Sequence, residues 1–341
     1  MELPAQSGLM RIVSIVSAIV GLLVGTAIVG YYGFADVWNA LSAIHWGGFA
    51  IVCAYHLVLF CLLGLAWYCV LPPPRSVGIG TMIWGRIVRD SGSEVLPLSQ
   101  LGGFGMGARA ATVAGLAGML SFASTVVDVT LETLAQLVYA AVGLGLLVWL
   151  HPGAAIAKPL GIGLIVGVFA VFAFVFVQRR GMGAVERLAE RLAPRWIPDA
   201  VGHTRAFHQQ IHAMYARMVG AQLGFVLHLA AWFANGIEAW IALHLMGVPL
   251  GIAAVLAIES LLYALRSFAF FVPNAVGVQE GAYVILGGLF GLPPETALAL
   301  SLLKRGRDLV IGVPALLVWQ GSEGRRALRA GRDVRSRNEA H

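Results

Sequence analysis

Long apolar runs dominate the chain, at 12–31, 46–71, 117–150, 160–177, 219–246 and 294–319. They do not alternate between apolar and polar positions, so they read as helices rather than as strands of a membrane barrel. Each approaches or exceeds the roughly 20 residues that an α-helix needs to cross a bilayer. The pattern predicts an all-α polytopic membrane protein with about six full transmembrane helices. The stretch 34–45 is short and amphipathic and fits an interfacial helix, with Trp38 and Trp46 where an aromatic belt belongs. Pro72, Pro73 and Pro74 stop the second run, because proline cannot continue a helix. Arg11 gives the first run the look of a secretory signal, but no clear small-residue cleavage site follows, so it reads as an uncleaved anchor.

Two regions break the pattern. Residues 75–116 hold Arg86, Arg89, Asp90, Glu94, Pro97, Gln100 and Arg109, with glycines at 102, 103, 105 and 107. Residues 252–291 hold Glu259, Arg266, Pro273, Asn274, Gly277, Gln279 and Glu280. In each, an Arg precedes a Pro by about two helical turns, and Gly and Gln follow. Both are too polar and too interrupted for a plain span.

Basic residues set the expected orientation. Seven Arg lie in 178–217, six in the tail from 321 and three in 72–93, whereas the connections 31–46, 151–159 and 247–251 hold Lys158 alone. Both termini are therefore expected in the cytoplasm. The first broken region then re-enters from inside and the second from outside. This is an inverted-topology repeat with halves of about 1–178 and 218–320 around one transmembrane domain, and interrupted helices in such repeats point to transport sites. Residues 178–217 would be a basic cytoplasmic linker with a surface helix over 184–192, and 321–341 a mobile Arg-rich tail.

Composition supports the membrane reading and narrows the rest. The 341 residues are 59% hydrophobic and only 12% charged, with a mean hydropathy of +0.82. The net charge of +6 fits inside-facing loops near anionic lipid, and no nucleic-acid-binding module accompanies it. Cys53, Cys61 and Cys69 share one run at helical separations of about 12 Å, too far for a disulfide. The cysteines and histidines point to no metal site or cofactor; His208 and His212 lack the Glu of a zinc-protease helix. The glycines of 102–107 lack a following Gly-Lys-Ser/Thr and so form no nucleotide loop, though they could cradle a lipid phosphate. Gly21/Gly25 and Gly163/Gly167 have helix-packing spacing, and no nucleophile elbow is present.

Ionisable groups inside apolar runs need partners or water. Asp128 and Glu132 share one helical face, where two carboxylates can bind a cation, relay a proton or pair with Arg109 or Arg266. His228, Asn235 and Glu238 make one polar stripe, Glu259 and Arg266 bracket Tyr263, and Lys304, Arg305, Arg307 and Asp308 cluster in the last run. Asp308 could equally pair with Lys304 or Arg305 within its own helix. Near the two breaks, Arg89, Arg109 and Arg266 are candidates to hold an anionic headgroup or to compensate carboxylates. Glu94 belongs to the first break. Gln100, Asn274 and Gln279 supply neutral hydrogen bonds. Glu280 and Glu259 neutralise an Arg or carry a proton, with Arg266 or Arg89 the expected partner of Glu280.

The segment 94–103, Glu-Val-Leu-Pro-Leu-Ser-Gln-Leu-Gly-Gly, resembles the first broken motif of the lysylphosphatidylglycerol-synthase transmembrane-region superfamily. The segment 272–281, Val-Pro-Asn-Ala-Val-Gly-Val-Gln-Glu-Gly, resembles its second, and 303–320 resembles the branch encoded beside hopanoid-synthesis genes. The soluble aminoacyl-transferase domain of the lipid-modifying members has no counterpart here. The resemblance implies movement of a lipid or lipid-linked molecule, hopanoid-related or anionic, between leaflets of a bacterial inner membrane. An intramembrane transferase on a lipid headgroup, with Glu280 or Asp128 as base, is the enzyme alternative, and a non-transporting scaffold for lipid-synthesis enzymes is the third. Membrane lipids, such enzymes and a second copy of the chain are the expected partners.

Overall fold

The computed structural model describes residues 31, 33–95, 100–180, 200–269 and 275–339. Eleven helices lie among them: α1 (Phe34–Ser42), α2 (His45–Val70), α3 (Ile79–Val95), α4 (Gln100–Val113), α5 (Gly118–Leu150), α6 (Ala157–Arg180), α7 (Ala200–Ala216), α8 (Met218–Leu245), α9 (Ile252–Phe268), α10 (Val278–Leu289) and α11 (Pro294–Glu339). The first apolar run, Pro97, Pro273, Asn274, the helix expected over 184–192 and the side chain of Gln100 lie outside the described residues.

Among the described residues, four helices are long and apolar enough to cross a membrane: His45–Val70, Gly118–Leu150, Ala157–Gln178 and Met218–Leu245. The protein is therefore an all-α, multi-pass membrane protein. Its surface is inverted relative to a soluble bundle. Phe169 and Phe172 of α6 are 70% and 65% exposed, while Arg89 is 1% exposed. The last run, expected to span, is less apolar than these four because Lys304, Arg305, Arg307 and Asp308 interrupt it. Its two faces explain how it fits: Leu309, Val310, Val313, Leu317 and Val318 face out, and Lys304 and Arg307 face in. The helix α11 continues through Glu339, so the Arg-rich tail from 321 to 339 is helical.

Both broken regions are helical hairpins by their connectivity. The arms have 17 and 14 residues in the first and 17 and 12 in the second, so each is about 18–26 Å long, less than the roughly 30 Å hydrocarbon core. In the first, α3 and α4 run antiparallel at very close range. A Cβ on Gly103 would lie 2.5 Å from the Arg89 carbonyl oxygen, and one on Gly107 would lie 2.6 Å from the Arg89 Cβ. Gly103 and Gly107 thus serve the close contact between α3 and α4, whereas Gly105 faces open space.

Packing exchanges the hairpins between the two parts of the chain. The first arm α3 packs on α11, the first arm α9 packs on α5, and α2 and α8 pack on each other. The apolar core beneath joins Leu147 of α5, Leu243 of α8, Ile258 and Leu262 of α9, Tyr283 of α10 and Leu300 of α11. Part of the expected linker is also docked: Ile211 and Met214 of α7 pack with Val127 and Leu131 of α5.

Candidate functional site

Between α2, α3, α4, α5, α8, α9 and α11 lies a cavity of about 220 Å³ whose wall is rich in ionisable side chains. Helical spacing puts them there. On α3, Arg86, Arg89 and Asp90 fall on the face turned to α5, and Asp128 and Glu132 answer one turn apart. Arg86 grips Glu132 through two parallel hydrogen bonds of 2.9 and 2.6 Å and donates from Nε to Asp90 at 2.9 Å. Arg89 donates to Asp128 at 2.8 Å and also to Glu132. Its guanidinium lies 5.3 Å from the Phe104 ring centroid, adding cation–π contact from the second arm of the hairpin. His228 Nε2 lies 2.9 Å from the other Asp128 oxygen. Planar forks of this kind hold several carboxylates at once.

Across the cavity, Arg307 of α11 contacts Glu238 of α8 and donates to Asp308 at 2.7 Å. The second Glu238 oxygen lies 2.8 Å from His56 Nδ1 of α2. Near the hairpin breaks, Arg266 donates to Glu94 at 2.9 Å, joining the ends of α9 and α3. The most accessible carboxylates here are Glu94 and Asp90, at 27% and 24% side-chain exposure.

Two further groups lie outside the cavity wall. Glu259 accepts from Lys304 and from the Tyr283 hydroxyl, and it is fully buried. Glu280 accepts from Arg305 Nε at 2.7 Å and from Ser301 at 3.0 Å, and Gln279 donates to the same Ser301 at 2.9 Å. The Gly277 amide, at φ 83°, donates to Glu280 Oε2 at 2.7 Å, so the carboxylate also closes the first turn of α10.

The geometry corrects several expected pairings. Glu280 meets Arg305, not Arg266 or Arg89, because the α10–α11 packing brings the next helix closer than the neighbouring hairpin. Asp128 and Glu132 are met by Arg86 and Arg89 rather than by Arg109 or Arg266. Asp308 is held by Arg307, not by Lys304 or Arg305. Arg109 leaves the site altogether: its side chain is 52% exposed and pairs with Glu323 of α11.

Of the expected residues, Arg89, Glu94, Glu132, Arg266 and Asp308 line the cavity. Asp128 and Glu238 are bonded to lining residues. Glu259, Gln279, Glu280 and Arg305 form the two groups outside it. Sequence reading did not select Arg86, Asp90, His56, Lys304 and Arg307 as site residues. The signal for His56 was its position inside an apolar run, where an ionisable group needs a partner.

Residues 15–315 match the family model described as lysylphosphatidylglycerol synthase TM region. The chain belongs to that family. The matched span contains both hairpins and every cavity residue named above. No curated protein and no solved structure matches the chain. Membership of the lysylphosphatidylglycerol synthase TM region family makes this a membrane protein related to lipid chemistry.

Proposed function

We propose that the protein moves a polar-headed lipid between leaflets, with the headgroup passing through the charged cavity while the acyl chains stay in the bilayer. The observation that carries this reading is a cavity walled by ionisable side chains inside an otherwise apolar bundle. A volume of about 220 Å³ holds several waters, the scale of a polar headgroup. Arg266 and Glu94 are the pair that a zwitterionic or anionic headgroup would open, since both retain exposure to the cavity.

The arms of both hairpins are too short to cross the core alone, which supports re-entry to mid-depth. The exchanged packing of α3 on α11 and α9 on α5 supports an inverted repeat in which α2–α5 correspond to α8–α11. The Arg-rich 178–217 segment and the tail support a reading with both termini in the cytoplasm, in a bacterial inner membrane. A hopanoid-related lipid belongs among the cargoes to assay, from the resemblance of 303–320.

Leaflet exchange of labelled lipid in proteoliposomes tests the proposal. Exchange above protein-free vesicles, lost in Arg266→Gln, is the expected result. Covalent modification of the lipid without exchange would instead establish a transferase.

A further inference from the structure

The cavity has a stretch of wall that the ion pairs leave unused. α5 packs on both α8 and α9, and helical spacing turns Thr133, Gln136, Trp232, Asn235, Tyr263 and Ser267 of these three helices to the cavity. All six are neutral polar or aromatic residues. Gln136 Nε2 donates to the Tyr263 carbonyl at 3.0 Å and to the Ser267 hydroxyl at 2.8 Å. The Trp232 indole donates to the Glu132 carbonyl at 3.3 Å. These bonds join the three helices into one surface. Trp232 and Tyr263 meet edge to face at 4.9 Å and give it an apolar backing.

The direction of the hydrogen bonds decides what this wall can bind. A carbonyl oxygen only accepts, so a hydroxyl that meets one has committed its proton to that bond. Thr133 donates to the Val129 carbonyl at 2.8 Å, and Ser267 to the Tyr263 carbonyl at 3.0 Å. Tyr263 donates to Asn235 Oδ1 at 3.4 Å. Gln136 keeps its nitrogen on the Tyr263 carbonyl, which leaves its oxygen without a partner among the described residues. What this wall offers a ligand is therefore acceptor capacity. A phosphate oxygen, itself an acceptor, meets donors that are already engaged. The guanidiniums beside the wall each hold a carboxylate. An ammonium would donate, but the Tyr263 ring already carries two cations, the Arg266 guanidinium at 5.2 Å and the Lys304 ammonium at 5.5 Å from its centroid. A third positive charge there is repelled and gives up its hydration as well. A hydroxyl donates, carries no charge and costs far less to desolvate.

We propose that this wall binds an uncharged polyhydroxylated group, a sugar or polyol, with hydroxyl protons on Thr133, Gln136 and Ser267 and a C–H face against Trp232 and Tyr263. A sugar ring carries hydroxyls around its rim and C–H groups on its faces, which matches acceptors set beside aromatic rings. The cavity of about 220 Å³ holds several waters, the scale of one such ring. The binding site stands by itself. That the sugar or polyol is a lipid headgroup rests on the lipid-translocation reading. A phosphodiester linking such a group to its chains would still engage Arg266 by opening its pair with Glu94.

Binding to the full chain in phosphatidylcholine nanodiscs tests this without any transport. The probe is dioctanoyl glucosylglycerol labelled in the sugar, with binding to empty discs subtracted, and saturable binding is expected. Its tetra-O-methyl ether keeps the ring and removes every donor, so it should compete about tenfold less well. Dioctanoyl phosphatidylethanolamine and dioctanoyl phosphatidic acid, which present an amine and a bare phosphate, should compete no better than the ether. Thr133→Val and Ser267→Ala each remove one acceptor with little change in volume. Each should lower the preference for glycolipid over ether several-fold. A purely structural role would alter the yield of folded protein but not that ratio, and Arg109→Ala, outside the cavity, should leave it unchanged. Equal competition by the ether would overturn the proposal, as would tighter binding of the amine or phosphate lipid, or a ratio unmoved in both variants. Methyl glucoside, a sugar without chains, should compete only at far higher concentration. Competition as strong as that of the glycolipid would assign the site to a free sugar and overturn the headgroup. Leaflet exchange of the same probe in proteoliposomes is a separate readout. Binding without exchange would count against lipid movement and leave the site standing.

Discussion

The first arms of the two hairpins meet their long partner helices with opposite charge. The first arm of the first hairpin, α3, carries Arg86 and Arg89, which reach three carboxylates on α3 and α5 through forked hydrogen bonds. The first arm of the second, α9, carries Glu259, which meets the point charge of Lys304 on α11. A guanidinium fork spreads its load over several acceptors, whereas an ammonium on a flexible stem makes local contacts. The first hairpin is therefore held as part of a network. The second is held by separate pairs, and its Arg266 reaches across to Glu94 of the first.

The sharpest break of this contrast is Arg89→Ala. It removes the arginine hydrogen bond of Asp128 while Arg86 still holds Glu132, and losing one partner of a buried ion pair costs about 3–5 kcal/mol. The expected outcome is loss of the monodisperse peak in size-exclusion chromatography. A well-folded Arg89→Ala protein would show that the network is not what holds α3.

Lys304→Met should cost somewhat less, about 2–4 kcal/mol, because the Tyr283 hydroxyl still serves Glu259. Adding Glu259→Gln to it should recover most of the loss, since the stranded charge is then gone. A thermal-unfolding cycle over the four proteins measures the coupling, and additive losses would mean that the pair acts independently.

The Glu94–Arg266 contact separates stability from function. Both side chains are partly exposed, so Glu94→Gln should change stability by about 1 kcal/mol or less. Its effect on leaflet exchange should be about tenfold. The charge-swapped variant E94R/R266E restores the pair, and exchange should return toward the wild-type rate if the contact joins the hairpins. Exchange that stays low would show that the headgroup needs each charge in its own place.

The smallest effect belongs to Arg109→Ala. Its exposed pair with Glu323 is worth under about 1 kcal/mol. Exchange in proteoliposomes should stay within twofold of wild type, and a large loss would return Arg109 to the site.

How much of this was readable depends on the kind of interaction. Apolar runs of membrane length announced α2, α5, α6 and α8, because transfer to hydrocarbon depends on local composition. The interruptions also showed, since proline, glycine and charge stop a continuous span wherever they stand. The docked helix α7 was less visible: its Ile211 and Met214 are only two apolar positions in a basic segment, and it is their contact with α5 that gives them meaning. The continuation of α11 past 320 was missed for a related reason, since Arg-rich sequence without an apolar face reads equally as coil.

The site divides along the same line. Residue type and helical spacing were enough to mark Asp128 with Glu132, Glu238, Glu259 and Arg266 as groups that cannot face lipid, because burying a lone charge is costly in any fold. Which cation answers which carboxylate was decided only by the arrangement that brings α3 within side-chain reach of α5, α10 onto α11 and α8 against α2. Charge attraction falls slowly with distance and has no direction, so several arginines were equally good partners along the chain. Close helix contact, set by glycines such as Gly103 and by side-chain shape, selected Arg89 for Asp128 and Arg305 for Glu280. The sequence by itself determined the membrane environment, the helical class and the need for internal charge pairing. The tertiary structure alone decided the pairs, because those contacts exist only when helices far apart in the chain are brought within hydrogen-bonding distance.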